Sequence, residues 1–132
     1  VGTSAQLILV DSDILIDASR QDYVAVDWLD RRRSEIAVST ITHIELLSGC
    51  RDKRDWQLTQ GFLARFEHFT LTAEVSKLAL QLFDSYRLSH GLMLADALIA
   101  ATAIAWNVPL ASKNQKDFRF IAELDLHLYP AT

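Results

Sequence analysis

Apolar positions along this chain follow two signatures in turn. Short continuous runs read as strands buried on both faces of a parallel sheet, and between them lie stretches with apolar residues three and four apart, the mark of amphipathic helices. Gln6 to Val10 is the first run. Ser12 or Asp13 is placed to cap a short helix over Ile14 to Ala18. Asp22 to Arg33 predicts a helix with Val24, Trp28 and Leu29 apolar and Arg31 to Arg33 at its end, where cations suit the helix dipole. Ile36 to Ser39 predicts a second strand, and a helix beginning near Thr42 is ended by Gly49. Asp52 to Phe66 has the pattern of another helix, with Trp56, Leu63 and Phe66 apolar. Phe69 to Leu71 is a short third strand, and Thr72 caps a helix to about Arg87. Leu92 to Trp106 is expected to be the most buried helix. Asn107-Val108-Pro109 then turns into the strand Leu110-Ala111, and Leu126 to Tyr129 predicts the last strand.

This alternation predicts an α/β fold with a central parallel sheet of four to five strands and helices on both faces, in one domain over residues 6–132. Val1 to Ala5, without a methionine, reads as a tag remnant or a disordered start. In such folds ligands bind beyond the carboxyl ends of the strands. Asp11 and the turn Ser112-Lys113-Asn114 both follow strands, so both are expected on that edge.

Composition narrows the function classes. The chain has 132 residues, half of them hydrophobic, which suffices for a real core. A net charge of −4 argues against coating nucleic acid through charge alone. Cys50 is the only cysteine, so an intrachain disulfide is impossible, and the expected compartment is the reducing cytoplasm. No apolar run is long enough to span a membrane; Asp96 and Thr102 interrupt the longest.

Three acidic residues change the picture, because each interrupts an apolar segment: Asp11 after Leu7 to Val10, Glu45 within Ile41 to Leu47, and Asp96 within Leu92 to Ala101. A buried carboxylate without a partner is costly, and a divalent cation offsets that cost. Structural roles compete with this reading. Asp11 could cap the next helix, and Thr42-His43-Ile44-Glu45 matches a capping box. Asp96 is the hardest to explain structurally, since aspartate is a poor residue inside a helix. The polar turn Ser112 to Phe118 is either a solvated loop or an outer shell, with Asn114 or Asp117 holding a ligand or water and Ser112 donating a hydrogen bond. His43, His68, His90 and His127 form no metal-ligand spacing, and neither a nucleophile elbow nor a glycine-rich phosphate loop is present. Basic residues cluster at Arg31 to Arg33, at Arg51, Lys53 and Arg54, and at Lys113, Lys116 and Arg119. The second and third clusters lie close in sequence to Glu45 and Asn114 and could hold an RNA backbone.

Four segments in order resemble the PIN-domain family: Leu7 to Asp17, Ser39 to Gly49, Leu94 to Ala103, and Pro109 to Phe118. Within it, the chain is similar to VapC-type toxins of toxin–antitoxin pairs. The resemblance implies a three-layer α/β/α fold and an endoribonuclease dependent on Mg²⁺ or Mn²⁺. Asp11, Glu45 and Asp96 would be the metal ligands. Asn114 stands at the fourth acidic position, where aspartate is frequent, leaving Asp117 as a substitute. Ser12 fits the family's hydroxyl position, and Asp13 stands where asparagine is frequent. The implied partners are an RNA substrate, an antitoxin that inserts a basic side chain into the acidic cleft, and a second copy of the chain, for which Trp28 and the first helices are candidate contacts. Clustered carboxylates repel one another, so the metal-free site is expected to be partly protonated or locally disordered.

Three other readings compete. A phosphorelay receiver shares the acidic pair after the first strand but needs a phosphoacceptor aspartate after the third, where Phe69 to Thr72 offers none. A haloacid-dehalogenase-type phosphatase needs a late acidic pair that Ser112-Lys113-Asn114 does not provide. A PIN domain that binds RNA or a partner without cutting is supported by Asn114 alone.

Overall fold

The computed structural model describes residues 6–130, so the expected disordered start lies outside the described residues. The sheet strands are β1 (Ile8–Val10), β2 (Ile36–Ser39), β3 (Glu67–Phe69), β4 (Leu110–Ala111) and β5 (Leu126–His127). All pair in parallel, in the order β3-β2-β1-β4-β5. The helices are α1 (Ser12–Ser19), α2 (Tyr23–Asp30), α3 (Thr40–Ser48), α4 (Lys53–Leu63), α5 (Ala73–His90) and α6 (Leu94–Ala105).

Strand alternation divides the core in two. Leu9, Ala37, Phe69 and Leu110 face α5 and α6, packing on Val75, Leu82, Ile99 and Phe118. Ile8, Val10, Ile36, Val38 and Ala111 face the opposite way, toward Ile14, Leu15, Trp28, Leu46 and Leu63. Period-two alternation across a sheet covered on both faces makes the predicted three layers. The alanines of α6, four of them buried, let this helix lie close against its neighbours.

Several boundaries differ from the sequence reading. The first helix starts earlier, at Ser12, and its cap is Asp11 rather than Ser12 or Asp13. The third strand is shifted toward the N-terminus because pairing with β2 sets it: Val38 aligns with His68 and Ser39 with Phe69. The arginines after α2 fall beyond its last turn. Arg32 still serves that end, donating to the Trp28 carbonyl at 3.2 Å while its guanidinium lies over the Trp28 ring. Trp28 itself is only 3% exposed and packs edge-on against Tyr129, so it is a core residue and not a contact for a second copy.

Candidate metal centre

Strand order reverses between β1 and β4, and this switch point is where open parallel sheets bind ligands. The two strands end at Val10 and Ala111 and set Asp11 and Ser112 side by side. Asp11 is 5% exposed and performs two tasks with its two oxygens. Oδ1 accepts from the Ser12 amide at 2.8 Å, capping α1, and Oδ2 accepts from Ser112 Oγ at 2.8 Å. Capping and site membership are therefore compatible. Burial, then the charge of Asp13, pushes the Asp11 carboxyl up to about 7, against the pull of the Ser112 and Ser12 hydrogen bonds.

Glu45 arrives by a different route from the one its spacing suggests. β2 runs directly into α3, and Ser39 is the cap, accepting from the Thr42 amide at 3.2 Å. Glu45 is consequently beyond the first turn, and the expected capping box is not formed. Its Oε1 instead accepts from Ser12 Oγ. Thr42 Oγ1 lies 3.2 Å from both Ser12 Oγ and Ser39 Oγ, completing a buried hydroxyl chain behind the carboxylate. Ser12→Ala is expected to lower kcat about tenfold with KM and melting temperature little changed, since positioning groups around metal ligands have effects of that order. Steady-state cleavage kinetics with a melting curve check it.

Asp96 occupies the first turn of α6, not its interior, so the helix dipole favours its charge. That removes the helix-propensity argument for its function. A stronger one replaces it: half-buried, the carboxyl is still pushed up to about 6, first by burial and then by the charges of Asp117, Glu45 and Asp13. Asp13, not assigned to the site by the sequence reading, belongs to this group. It accepts from the Lys113 amide at 3.1 Å and is the leading charge acting on Asp11. The signal for it was the Asp11-Ser12-Asp13 repeat itself. Asp117, in the helical turn Gln115–Asp117, is the leading charge on Asp96. Asn114 contributes its backbone amide to Ser112 Oγ at 3.0 Å, and its side chain is exposed at the rim.

Among the described residues, no three His, Cys, Asp or Glu side chains converge into a closed ion cage. The acidic groups act on one another through space instead, and Asp11 and Asp96 are both raised by it. An all-oxygen donor set with mutual repulsion suits a hard divalent cation that keeps several of its waters. The residues therefore fit Mg²⁺ or Mn²⁺, and the raised carboxyls match the expected partial protonation of the metal-free site.

Residues 8–124 match the family model described as "PIN domain". The chain belongs to the PIN-domain family. Ribonuclease VapC10 of Mycobacterium tuberculosis is 36% identical over 124 residues, covering 89% of this chain and 90% of the relative. Ribonuclease VapC1 of Methanocaldococcus jannaschii is 33% identical, covering 90% and 88%. A solved toxin–antitoxin complex from Klebsiella pneumoniae superposes with a TM-score of 0.75 at 30% identity, covering 92% of this chain and 95% of that one.

Beside the centre of this PIN domain, a groove of about 960 Å³ runs from Glu45 between α1–α2 and α3–α4. Its cations are Arg20, Arg51 and Arg65. Of the basic residues expected to hold RNA, only Arg51 lines this groove, and it also pairs with Asp55 at 3.5 Å. Lys53, Arg54 and Lys116 are exposed outside it, and Lys113 is engaged by Asp17 at 2.7 Å. Helix packing, not sequence proximity, brings Arg20 and Arg65 here, so no local pattern marks them.

Proposed function

We propose that this PIN domain is a Mg²⁺- or Mn²⁺-dependent endoribonuclease and the toxin of a toxin–antitoxin pair. The observation that carries the proposal is the acidic group at the β1–β4 switch point, where Asp11 and Asp96 are raised to about 7 and 6 by burial and by neighbouring charge. The names of the relatives, all ribonucleases of VapC type, support the same reading.

In this mechanism Asp11, Glu45 and Asp96 hold the cation. When bound, it supplies the positive charge that acidifies water and offsets charge on the phosphate oxygens. Ser112 and the Ser12 amide fix the Asp11 carboxylate, one on each oxygen. The Ser12 hydroxyl fixes Glu45 and is itself backed by Thr42 and, beyond it, Ser39. Asp13 and Asp117 add the negative charge that Asn114 does not, and serve as water-holding outer groups. Arg51, with Arg20 and Arg65, places RNA phosphates along the groove; Lys53, Arg54, Lys113 and Lys116 extend the positive field at its margins. The partner is a small antitoxin that covers the acidic cleft with a basic side chain, the chain acts as a homodimer, and its RNA substrate sets the cytoplasm as its place of action. No helix among the described residues is long and apolar enough to cross a membrane.

A non-cutting PIN domain is favoured by Asn114 alone. The topology disfavours a receiver, whose phosphoacceptor strand is central, because β3 is at the sheet edge and leads into Thr70 and Leu71. Expression of the chain alone beside its Asp96→Asn variant tests the proposal. Growth arrest with the unaltered chain and normal growth with the variant is the expected result, and equal growth would count against it.

A further inference from the structure

The four histidines lack metal-ligand spacing in sequence, yet the fold brings two of them together. β2 pairs with β3 so that Val38 aligns with His68, and α3 rises directly from the end of β2 with His43 in its first turns. His43 Nδ1 and His68 Nδ1 face each other at 3.4 Å. The other nitrogen of each ring is engaged by oxygen: His43 Nε2 lies 2.8 Å from Gln60 Oε1, and His68 Nε2 lies 2.9 Å from the Leu63 carbonyl. The Leu63 carbonyl accepts only, which puts the His68 proton on Nε2 and turns the Nδ1 lone pair toward His43. Where Gln60 accepts through Oε1, the His43 proton also sits on Nε2, and both Nδ1 atoms are left as unprotonated nitrogens facing each other.

We infer that His43 and His68 form a two-histidine site for a borderline transition-metal dication such as Zn²⁺, separate from the carboxylate centre. The separation fits two ligands of one such ion. Zinc–nitrogen bonds of about 2.0–2.1 Å at a tetrahedral angle set two ligand nitrogens roughly 3.3–3.4 Å apart. A proton on either Nδ1 would instead make the contact a direct N–H···N bond. Anchoring each ligand ring through its second N–H to a carbonyl oxygen is the usual outer arrangement of a metal-binding histidine. His68 is exposed and His43 half-buried, so water completes the coordination. Imidazole selects zinc-class ions over magnesium, which keeps the two centres distinct. Occupancy would tie α3, which carries Glu45, to β3 and, through Gln60, to α4.

The test is a titration of the ¹⁵N-labelled chain with ZnCl₂ in excess Mg²⁺, followed by long-range imidazole ¹H–¹⁵N spectra. Both Nδ1 resonances of His43 and His68 are expected to shift together and saturate at one Zn²⁺ per chain, while His90 and His127 stay unmoved. His68→Gln is expected to weaken that binding by about tenfold or more, as loss of a ligand should exceed the loss of an outer partner, with Mg²⁺ binding unchanged. Unmoved resonances, or equal shifts in all four histidines, overturn the site. So does a parent spectrum showing a proton on His43 Nδ1 that Zn²⁺ does not displace, since the rings would then be joined by a simple N–H···N bond.

Discussion

Asp11→Asn is expected to abolish RNA cleavage and, in the same protein, to increase metal-free stability above neutral pH. Loss of a ligand oxygen at the centre of the site should lower kcat/KM by about 1000-fold or more, roughly 4 kcal/mol of transition-state stabilisation. The gain in stability follows from the raised carboxyl. Its folded value is about 7 against an ordinary 3.8, so between those pH values the folded state binds more protons than the unfolded chain. Stability then falls as pH rises through this window, and the full penalty, on the order of 4 kcal/mol for a shift of this size, is present above it. Asparagine carries no charge to bury. Its carbonyl can accept from the Ser12 amide and its amide nitrogen can donate to Ser112 Oγ, the same two partners that Asp11 uses. Denaturant unfolding in EDTA checks this: the variant should exceed the parent at pH 8, and the two should converge below about pH 4. Equal stability at pH 8 would show that Asp11 bears no such penalty.

The second large effect is on metal-linked stability. Mg²⁺ at about 100 times its dissociation constant should stabilise the parent by about 2.7 kcal/mol at pH 8. The gain should shrink toward pH 5, because Asp11 and Asp96, raised to about 7 and 6, are then largely protonated and must lose those protons to act as ligands. Asp96→Asn should remove most of the gain at every pH. Calorimetric melting with and without Mg²⁺ at the two pH values measures it. A gain independent of pH, or intact in Asp96→Asn, would place the bound cation elsewhere.

The fold was readable because β1, β4 and most of β2 are short apolar runs and most helices carry clear caps; Thr72 and Gly49 cap their helices as the sequence predicts. β3 was misplaced because it is an edge strand with exposed Glu67 and His68, so its register is set by β2 and not by its own pattern. Glu45 illustrates a deeper limit. Thr42 and Glu45 have capping-box spacing, but with no loop between β2 and α3 the cap moves back to Ser39 and leaves Glu45 free to meet Ser12. Asp96 reads in the sequence as an ill-suited helix-interior residue, but it stands in the first turn of α6, and the charges acting on it come from three other parts of the chain. Trp28 looked like a surface contact because Tyr129, which covers it, lies near the far end of the sequence. The contact of Ser12 with Thr42 and the approach of His43 to His68 are likewise long-range, and no local spacing encodes them.

Cleavage of a single-stranded RNA by the purified chain, assayed in EDTA and after addition of Mg²⁺ or Mn²⁺ beside Asp11→Asn and Asp96→Asn, tests the carboxylate centre itself. The carboxylate centre predicts cutting by the parent only when the cation is present, and none above background by either variant. Cutting in EDTA, or parental rates in the variants, would contradict it.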